Sequence, residues 1–408
     1  MYLHCYGAKY VYLLQNYIAM DKLYEYFYKL INGSTPEFVR YIYSEIDWDS
    51  RLIGLTGPRG VGKTTMLLQH IQNHAEKDKT LYVNAEDFYF SDHKLLDLAE
   101  NFVKRGGKYL YIDEIHKYAE WSKELKLIYD YFSELKLVFT GSSVLDIKKG
   151  ASDLSRRAVM YHMQGLSFRE YLDLFHSIKM RIYSVDEIVS HKVPDSELKL
   201  PLVYYNMYLK NGYYPFANDN NFEIRLQQIV NQTLENDIPF YAGMNISTAR
   251  KLKQLLAIIA KSVPFKPNFS SIATALVASR NNIADYCDFI EDAGMIIQVH
   301  SDTGGLRGLG KVDKIYLENP NLVYALASDN ANTGNVRETF FLNQMRVKHK
   351  VFTPATGDFK VQDFVFEIGG KNKKQKQIID IPNAFVVKDD IEFGFNNVIP
   401  LWHFGLTY

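Results

Sequence analysis

The residues Gly57-x4-Gly62-Lys63-Thr64 have the types and spacing of a loop that binds phosphate groups. Glycines let backbone N–H groups converge on phosphate oxygens, while Lys63 can reach the β- and γ-phosphates and Thr64 can ligate Mg²⁺. An apolar run at 52–55 precedes the loop and a helical apolar pattern follows it, so the required strand, loop and helix are all predicted. A glycine turn without a ligand is the alternative interpretation. The predicted nucleotide-contacting residues are Gly57, Pro58, Arg59, Gly60, Val61, Gly62, Lys63, Thr64 and Thr65.

Two acidic residues follow a second apolar run, in KYLYIDEIHKY. The run Tyr109 to Ile112 predicts a buried strand that places Asp113 and Glu114 at its carboxyl end. Asp113 would hold the Mg²⁺ shell together with Thr64, and Glu114 would orient or deprotonate the attacking water. A solvated acidic strand end is the alternative.

Hydroxyl and arginine side chains complete the predicted nucleotide site. The segment LKLVFTGSSVLDI ends an apolar strand in small hydroxyl residues, of which Ser142 is predicted to contact the γ-phosphate or the water. Arg156 and Arg157 precede a fifth strand candidate near Val159 to Met163. A mobile arginine can neutralise transition-state charge, here from a neighbouring subunit of a homo-oligomer. Ordinary surface charges are the alternative for both arginines.

Gly57–Thr64 together with YIDEIH, FTGSS and RRAVMYHMQGLSFREYL is similar to AAA-type ATPases of the archaeal-ATPase-like group. The resemblance covers about residues 20 to 175. It implies an α/β fold with a parallel P-loop NTPase sheet, a central P-loop strand and helices on both faces. It also implies ATPase activity with ATP and Mg²⁺ as cofactors, and it points to Arg157 rather than Arg156 as the catalytic arginine.

Length and composition limit the remaining possibilities. A chain of 408 residues is too long for one ordinary core. Lys+Arg 47 equals Asp+Glu 47, so any contact with nucleic acid must come from local patches. Cys5 and Cys287 are too few for a zinc cluster or a disulfide framework, which predicts a cytoplasmic protein. Residues 1–19, an unassigned extension before the ATPase domain at 20–165, resemble neither a signal peptide nor a spanning helix, and no membrane contact is predicted.

The middle of the chain predicts two further regions. Tyr, Leu and Phe at helical spacings in 166–240 predict a helical lid that packs on the ATPase core. Three helices followed by a hairpin with a glycine-rich tip predict a winged helix at 241–330.

The predicted second helix of that winged helix has two different halves. It starts with residues suited to a DNA major groove, namely Ser279, Arg280, Asn281 and Asn282. It continues with acids that a phosphate backbone would repel, namely Asp285, Asp288, Glu291 and Asp292. Basic residues predicted on the wing partly compensate: Arg307, Lys311 and Lys314. DNA binding and purely intramolecular packing both remain open.

The segment 331–408 carries residues that a metal-dependent phosphodiesterase needs. Glu338 falls on a predicted helix, Asp358 follows a short strand, and Glu367 and Lys371 fall on the next strand. Carboxylates in such a site hold Mg²⁺, while a lysine positions water and stabilises the charged transition state. The pattern resembles the small α/β restriction-endonuclease-like domain commonly fused behind this ATPase group, and the resemblance assigns these four residues to its site.

The position of the lysine departs from that family. The family usually keeps it two residues after the acid, whereas EIGGK places Lys371 four residues after Glu367. A bulge at Gly369 and Gly370 would draw the amine back. Asp363 is a competing metal ligand, and a degenerate domain that holds DNA or a partner without cutting is the alternative. Three further lysines predict a local phosphate-attracting patch: Lys373, Lys374 and Lys376.

These features together predict an ATP-hydrolysing switch or motor that acts on DNA through its winged-helix and nuclease-like domains. The alternative is a non-cleaving signalling or regulatory ATPase that binds a protein partner.

Overall fold

A computed structural model describes residues 19–33, 35–73, 76–141, 154, 156–194, 196–261, 264–302, 312–327, 331–374 and 378–408. The chain divides into two compact units, Met1–Met163 and Gln164–Tyr408. None of the helices in these described ranges is long and apolar enough to cross a membrane.

A five-stranded parallel sheet forms the centre of the first unit. Its strands are β1 (Leu52–Thr56), β2 (Thr80–Asn84), β3 (Tyr109–Asp113), β4 (Lys136–Gly141) and β5 (Val159–His162). They lie in the order β2, β3, β4, β1, β5, so the P-loop strand is inside the sheet, between β4 and β5. The continuous apolar runs fit this arrangement, because strands of a parallel sheet are buried on both faces.

Helices flank this sheet, as the α/β prediction requires. They are α1 (19–31), α2 (Lys63–Asn73), α3 (Tyr89–Asp92), α4 (Leu95–Lys104) and α5 (Trp121–Tyr131), with 3₁₀ turns at Tyr41–Ser44, Lys77–Lys79 and Ile115–Lys117. In α4 the apolar residues recur at helical spacing, and Leu95, Leu98, Ala99 and Phe102 are buried. Because the strands are parallel, the residues that follow β1, β3 and β4 lie together at the carboxyl ends of the strands.

The second unit opens with helices and contains a hairpin. The helices are α6 (Phe168–His176), α7 (Val185–Val189), α8 (Pro201–Met207), α9 (Phe222–Gln232), α10 (Ile238–Ala242), α11 (Ile246–Lys261), α12 (Phe269–Ala275), α13 (Arg280–Asp292), α14 (Pro320–Ala327) and α15 (Thr333–Met345). Two π-helical turns, Tyr208–Gly212 and Thr233–Asp237, continue α8 and α9. The strands β6 (Ile296–His300) and β7 (Val312–Leu317) pair in antiparallel fashion after α11, α12 and α13. This is the predicted order of elements, and its assignment as a winged helix stays a prediction.

A second five-stranded sheet follows α15. Its strands are β8 (Val351–Phe352), β9 (Phe359–Val361), β10 (Phe364–Gly369), β11 (Ala384–Lys388) and β12 (Val398–Pro400), with a final 3₁₀ helix at Leu401–Leu406. They lie in the order β12, β11, β10, β9, β8. The pairs β8–β9 and β9–β10 are antiparallel, whereas β10–β11 and β11–β12 are parallel, so the sheet is mixed.

The predicted boundaries at 166–240, 241–330 and 331–408 do not separate compact units, because all three regions belong to the second one. Ser167 Oγ and Arg169 Nε both donate to the carbonyl oxygen of Tyr408, at 2.9 and 2.8 Å. Asn321 Nδ2 donates to the Tyr208 carbonyl at 3.1 Å, which ties α14 to the end of α8. These hydrogen bonds join the region predicted as a lid to the residues that follow it, and its packing on the ATPase core stays a prediction.

Candidate functional site

The loop between β1 and α2 has a backbone that requires glycine. Gly57, Gly60 and Gly62 have φ values of 149°, 79° and 99°, which are unfavourable for residues with a Cβ. A Cβ at Gly57 would also lie 2.1 Å from the carbonyl oxygen of Met163. The loop thus reaches the first residue of α2, Lys63, in the turn that the glycine spacing predicts.

Lys63 is buried against this loop. Its amine donates to the carbonyl oxygens of Gly57 at 2.8 Å and Pro58 at 2.9 Å. Burial lowers the pKa of Lys63 to about 8, while the charges of Glu114 and Asp113 act in the opposite direction. An incoming phosphate group would therefore meet an ammonium at neutral pH.

Asp113 connects the loop to the second functional strand. It is buried at the carboxyl end of β3, and its Oδ2 accepts hydrogen bonds from Thr64 Oγ1 at 2.6 Å and Tyr82 Oη at 2.8 Å. Its Oδ1 accepts a hydrogen bond from Thr140 Oγ1. Every partner named here is a neutral hydroxyl group, so the negative charge of the carboxylate is not cancelled by these contacts.

Glu114 occupies a strained turn directly after β3. Its backbone is left-handed, at φ 52° and ψ 38°, a conformation that costs a non-glycine residue about 1 kcal/mol or more. Its N–H lies 3.2 Å from both Asp113 Oδ1 and Thr140 Oγ1, which holds the turn. Its Oε2 lies 3.5 Å from Nε2 of the buried His116. The turn and the histidine together fix the position of the carboxylate. We call Gly57–Thr65 with Asp113 and Glu114 the loop site.

Sequence reasoning missed part of this site. Ser142 lies outside the described residues, whereas Thr140, at the end of β4, contacts Asp113. The hydroxyl of Tyr82 was not predicted to contact Asp113. The contact depends on the register of the folded sheet, in which Tyr82 pairs with Tyr111 and therefore lies on the same face as Asp113.

The structure places Arg157 at the end of the sheet opposite the loop between β1 and α2, where the parallel strands begin. In the register of β5 with β1, Val159 lies opposite Ile53 and His162 opposite Thr56, so Arg157 lies where the strands begin. Its guanidinium makes two hydrogen bonds to Asp130, each of 3.0 Å. Arg157 is therefore not placed to contact a nucleotide in its own loop site. The predicted role in a neighbouring subunit and the alternative of a surface charge both remain.

The predicted metal ligands of the C-terminal segment come together with lysines. We call Glu338, Asp358 and Glu367 the carboxylate cluster. Lys314 Nζ, from β7, lies 3.8 Å from Glu338 Oε2 and 3.6 Å from Asp358 Oδ1. Burial and the charge of Asp358 raise the pKa of Glu338.

Lys373, not Lys371, is the lysine at Glu367. Lys371 is exposed, whereas Lys373 Nζ lies 2.5 Å from Glu367 Oε1. The cause is a turn in which the Lys373 N–H donates to the Gly370 carbonyl at 2.9 Å. The side chain then passes so close to Gly369 that a Cβ there would lie 2.5 Å from it. The turn at Gly369 and Gly370 does fold the segment back, but it brings Lys373 to Glu367 instead of Lys371.

The expected metal geometry is not seen in the carboxylate cluster. In the part of the chain that the structure describes, no group of three or more His, Cys, Asp or Glu side chains is arranged to hold a metal ion. Asp358 Oδ2 instead accepts a hydrogen bond from the Ile368 N–H at 2.9 Å. A cleft of about 1130 Å³ adjoins the cluster, lined by residues that include Lys314, Asp358, Lys360 and Glu367.

The DNA contact expected at the start of α13 and on the wing stays a prediction. Ser279 caps α13 by accepting from the Asn282 N–H at 3.1 Å, and Arg280 and Asn281 are exposed. Arg307 and Lys311 lie outside the described residues. Lys314 is largely buried at the carboxylate cluster, so it does not offer the exposed positive charge that was predicted for the wing.

Comparison with known proteins identifies two regions of the chain. Residues 49–172 match the family model described as an AAA domain, and residues 203–333 match a domain of unknown function, DUF8612. The uncharacterized protein MJ1637 of Methanocaldococcus jannaschii is 27% identical over 270 residues. That region covers 61% of this chain and 56% of MJ1637, a little over half of its length.

Two solved structures are similar over much of the chain. The Walker-type ATPase paby2304 of Pyrococcus abyssi has a TM-score of 0.43 and 13% identity, covering 73% of this chain and 99% of that one. AMPPCP-bound DnaA from Aquifex aeolicus has a TM-score of 0.25 and 14% identity, covering 64% and 91%. The match at 49–172 and the five-stranded parallel sheet agree with the α/β P-loop NTPase fold predicted for the first unit.

Proposed function

We propose that this protein is a cytoplasmic, ATP-hydrolysing molecular switch that works through the loop site. The contact of 2.6 Å between Thr64 Oγ1 and Asp113 Oδ2 carries the proposal. It joins a loop hydroxyl to a strand-end carboxylate, which are the oxygen ligands that Mg²⁺ takes beside nucleotide phosphates. Thr64 and Asp113 would hold the ion, which neutralises phosphate charge when it is bound.

The remaining residues of the loop site have separate roles in this proposal. The backbone N–H groups of the loop and the Lys63 ammonium bind the phosphate oxygens. Glu114 orients the attacking water and accepts its proton, and His116 keeps that carboxylate in position. Thr140 and Tyr82 hold Asp113 by hydrogen bonds, so its carboxylate is oriented before Mg²⁺ arrives.

The test compares two lysine variants of the full chain. We expect Lys63→Ala to lose ATP binding and to reduce the hydrolysis rate by about 100-fold or more. The matched control is Lys104→Ala, which removes an exposed lysine that pairs only with Glu100 among the contacts seen here. Equal ATP turnover by Lys63→Ala and the wild type would refute the proposal.

For the second unit, the contacts favour the non-cleaving alternative over a nuclease. The supporting observation is that Lys314 and Lys373 already pair with the carboxylates that would hold a catalytic metal. In this proposal the winged-helix and nuclease-like regions bind a partner, DNA or protein, without cutting it. The test is plasmid nicking with Mg²⁺ and ATP, and we expect none from the wild type or from Glu367→Ala. Nicking by the wild type that is lost in Glu367→Ala would instead support the nuclease hypothesis.

Assembly of subunits is a separate part of the proposal. If Arg157 acts in a neighbouring loop site, ATP turnover per subunit rises with protein concentration. Arg157→Ala abolishes that rise, whereas Asp130→Ala, which removes only its partner, retains it. A concentration-independent rate in all three proteins would leave Arg157 as a surface charge.

A further inference from the structure

Two lysines supply the counter-charges of the carboxylate cluster. Lys314 lies within 4 Å of both Glu338 and Asp358, and Lys373 lies 2.5 Å from Glu367. The exposed side-chain fraction is 11% for Lys314 and 3% for Glu367, so these ion pairs are largely removed from solvent. Each carboxylate that was predicted to bind a metal therefore faces an ammonium of the same chain.

The position of Lys314 is fixed by the strand that carries it. Lys314 and Tyr316 lie on the same face of β7, and the Tyr316 hydroxyl donates to Glu338 Oε2 at 2.7 Å. Between them, Ile315 pairs through its backbone with Phe265 on one side and with β6 on the other. The Lys314 amine also lies 5.8 Å from the centre of the Phe359 ring, in cation–π range. The strand pairing and the Phe359 ring thus hold the Lys314 amine in place beside the carboxylate cluster.

The charges of the cluster nearly balance without a metal ion. Three carboxylates and two ammonium groups leave one formal negative charge. A divalent ion entering between Glu338 and Asp358 would meet the Lys314 ammonium, and like charges at such distances repel strongly in a buried site.

We propose that the Lys314 ammonium is the built-in cation of this cluster, and that it keeps the C-terminal site closed to divalent metal ions. The inference goes beyond ATP hydrolysis and does not depend on it, because the loop site contributes no residue to the cluster. It follows that removing the ammonium frees the carboxylates of Glu338 and Asp358 to bind a divalent cation.

The experiment measures Mn²⁺ binding to the full chain by electron paramagnetic resonance, without nucleotide. Lys314→Met keeps the aliphatic stem and removes the charge. We expect it to gain one Mn²⁺ site, with affinity at least about tenfold above the wild type. That site should disappear in Lys314→Met/Glu338→Gln. Lys360→Met is the matched control, because Lys360 lines the same cleft but pairs with Asp302.

Two results would overturn the proposal. One is a Mn²⁺ site in the wild type that Glu338→Gln removes, a comparison that does not require any Lys314 variant to fold. The other is a folded Lys314→Met protein, judged by circular dichroism, that gains no Mn²⁺ site. A Mn²⁺-dependent rise in the melting temperature of Lys314→Met, absent from the wild type, would support it independently. Loss or retention of ATP turnover bears only on the loop site, so the two proposals fail separately.

Discussion

The loop site and the carboxylate cluster both bring carboxylates close to a lysine, but the lysines have different partners in the two sites. In the loop site, Lys63 donates to backbone carbonyls, and Asp113 is surrounded by hydroxyl groups. In the carboxylate cluster, Lys314 and Lys373 lie directly against the acids. A carboxylate held by hydroxyl groups keeps its charge for a metal ion, whereas one paired with an ammonium has already been neutralised.

The comparison shows that residue types alone do not define a metal site. Both regions contain the acids and the lysine that metal-assisted phosphate chemistry needs. The partners of each acid decide whether its charge is available, and most of those partners come from distant parts of the chain.

The largest contrast is between the two glutamates. Glu114→Gln should bind ATP but lower its turnover by about 10² to 10⁴, because the variant cannot accept the proton of the attacking water. Glu367→Gln should leave ATP turnover unchanged. Steady-state phosphate release and equilibrium ATP binding measure both effects. Normal ATP turnover by the Glu114→Gln protein would show that Glu114 has no catalytic role.

The second contrast concerns the Mg²⁺ requirement of the ATPase reaction. Asp113→Asn should raise the Mg²⁺ concentration for half-maximal turnover by about tenfold or more, because an amide is a weaker ligand than a carboxylate. Asp358→Asn should not change it. Mg²⁺ titrations of both variants test this, with melting temperatures as the check on folding. A raised requirement in Asp358→Asn instead would mean that the two sites have been assigned in reverse.

The third prediction follows from the pKa of Lys63, which is about 8 in the folded protein. Below that pH the amine is charged and ATP affinity should be constant. Above it, the affinity should fall by about tenfold per pH unit, because only the ammonium binds phosphate strongly. Lys63→Arg keeps its charge over this range and should show a flat profile between pH 8 and 9. A wild-type affinity that is also flat there would contradict the assigned pKa.

The smallest effect is expected at Gly369. A methyl group in Gly369→Ala would meet the Lys373 side chain and push its amine away from Glu367, which we expect to lower the free energy of unfolding by about 1 kcal/mol. In a Lys373→Ala background the same change should cost little, because the obstructed side chain is gone. Urea denaturation of the four proteins gives the coupling. Equal costs in both backgrounds would show that the turn does not hold Lys373.

Local sequence patterns predicted the parts of the structure that depend on neighbours in the chain. The apolar runs at 52–55 and 109–112 form β1 and β3, because a strand of a parallel sheet is buried on both faces. The glycine spacing predicted the loop, since its backbone angles exclude most other residues. The convergence of Thr64 and Asp113 followed from the parallel strands.

The lysine that pairs with each acid was not predictable in the same way. The exchange of Lys371 for Lys373 depends on how a turn closes over Gly369, which spacing alone does not specify. Lys314 was predicted on an exposed wing, but in the structure β7 turns it toward α15 and β9. The three regions predicted at 166–240, 241–330 and 331–408 lie in one compact unit, and their boundaries stay predictions.

The hydrogen bond from Ser167 to the Tyr408 carbonyl has a consequence for how the chain folds. It joins residues 241 positions apart, at the two ends of the second unit. Domains fold during synthesis largely in the order of the chain, and contacts between distant residues form slowly. The first unit has all its residues once Met163 is made, whereas Ser167 and Arg169 must wait for Tyr408, the acceptor of both of these hydrogen bonds. The first unit is thus expected to fold earlier than the second unit.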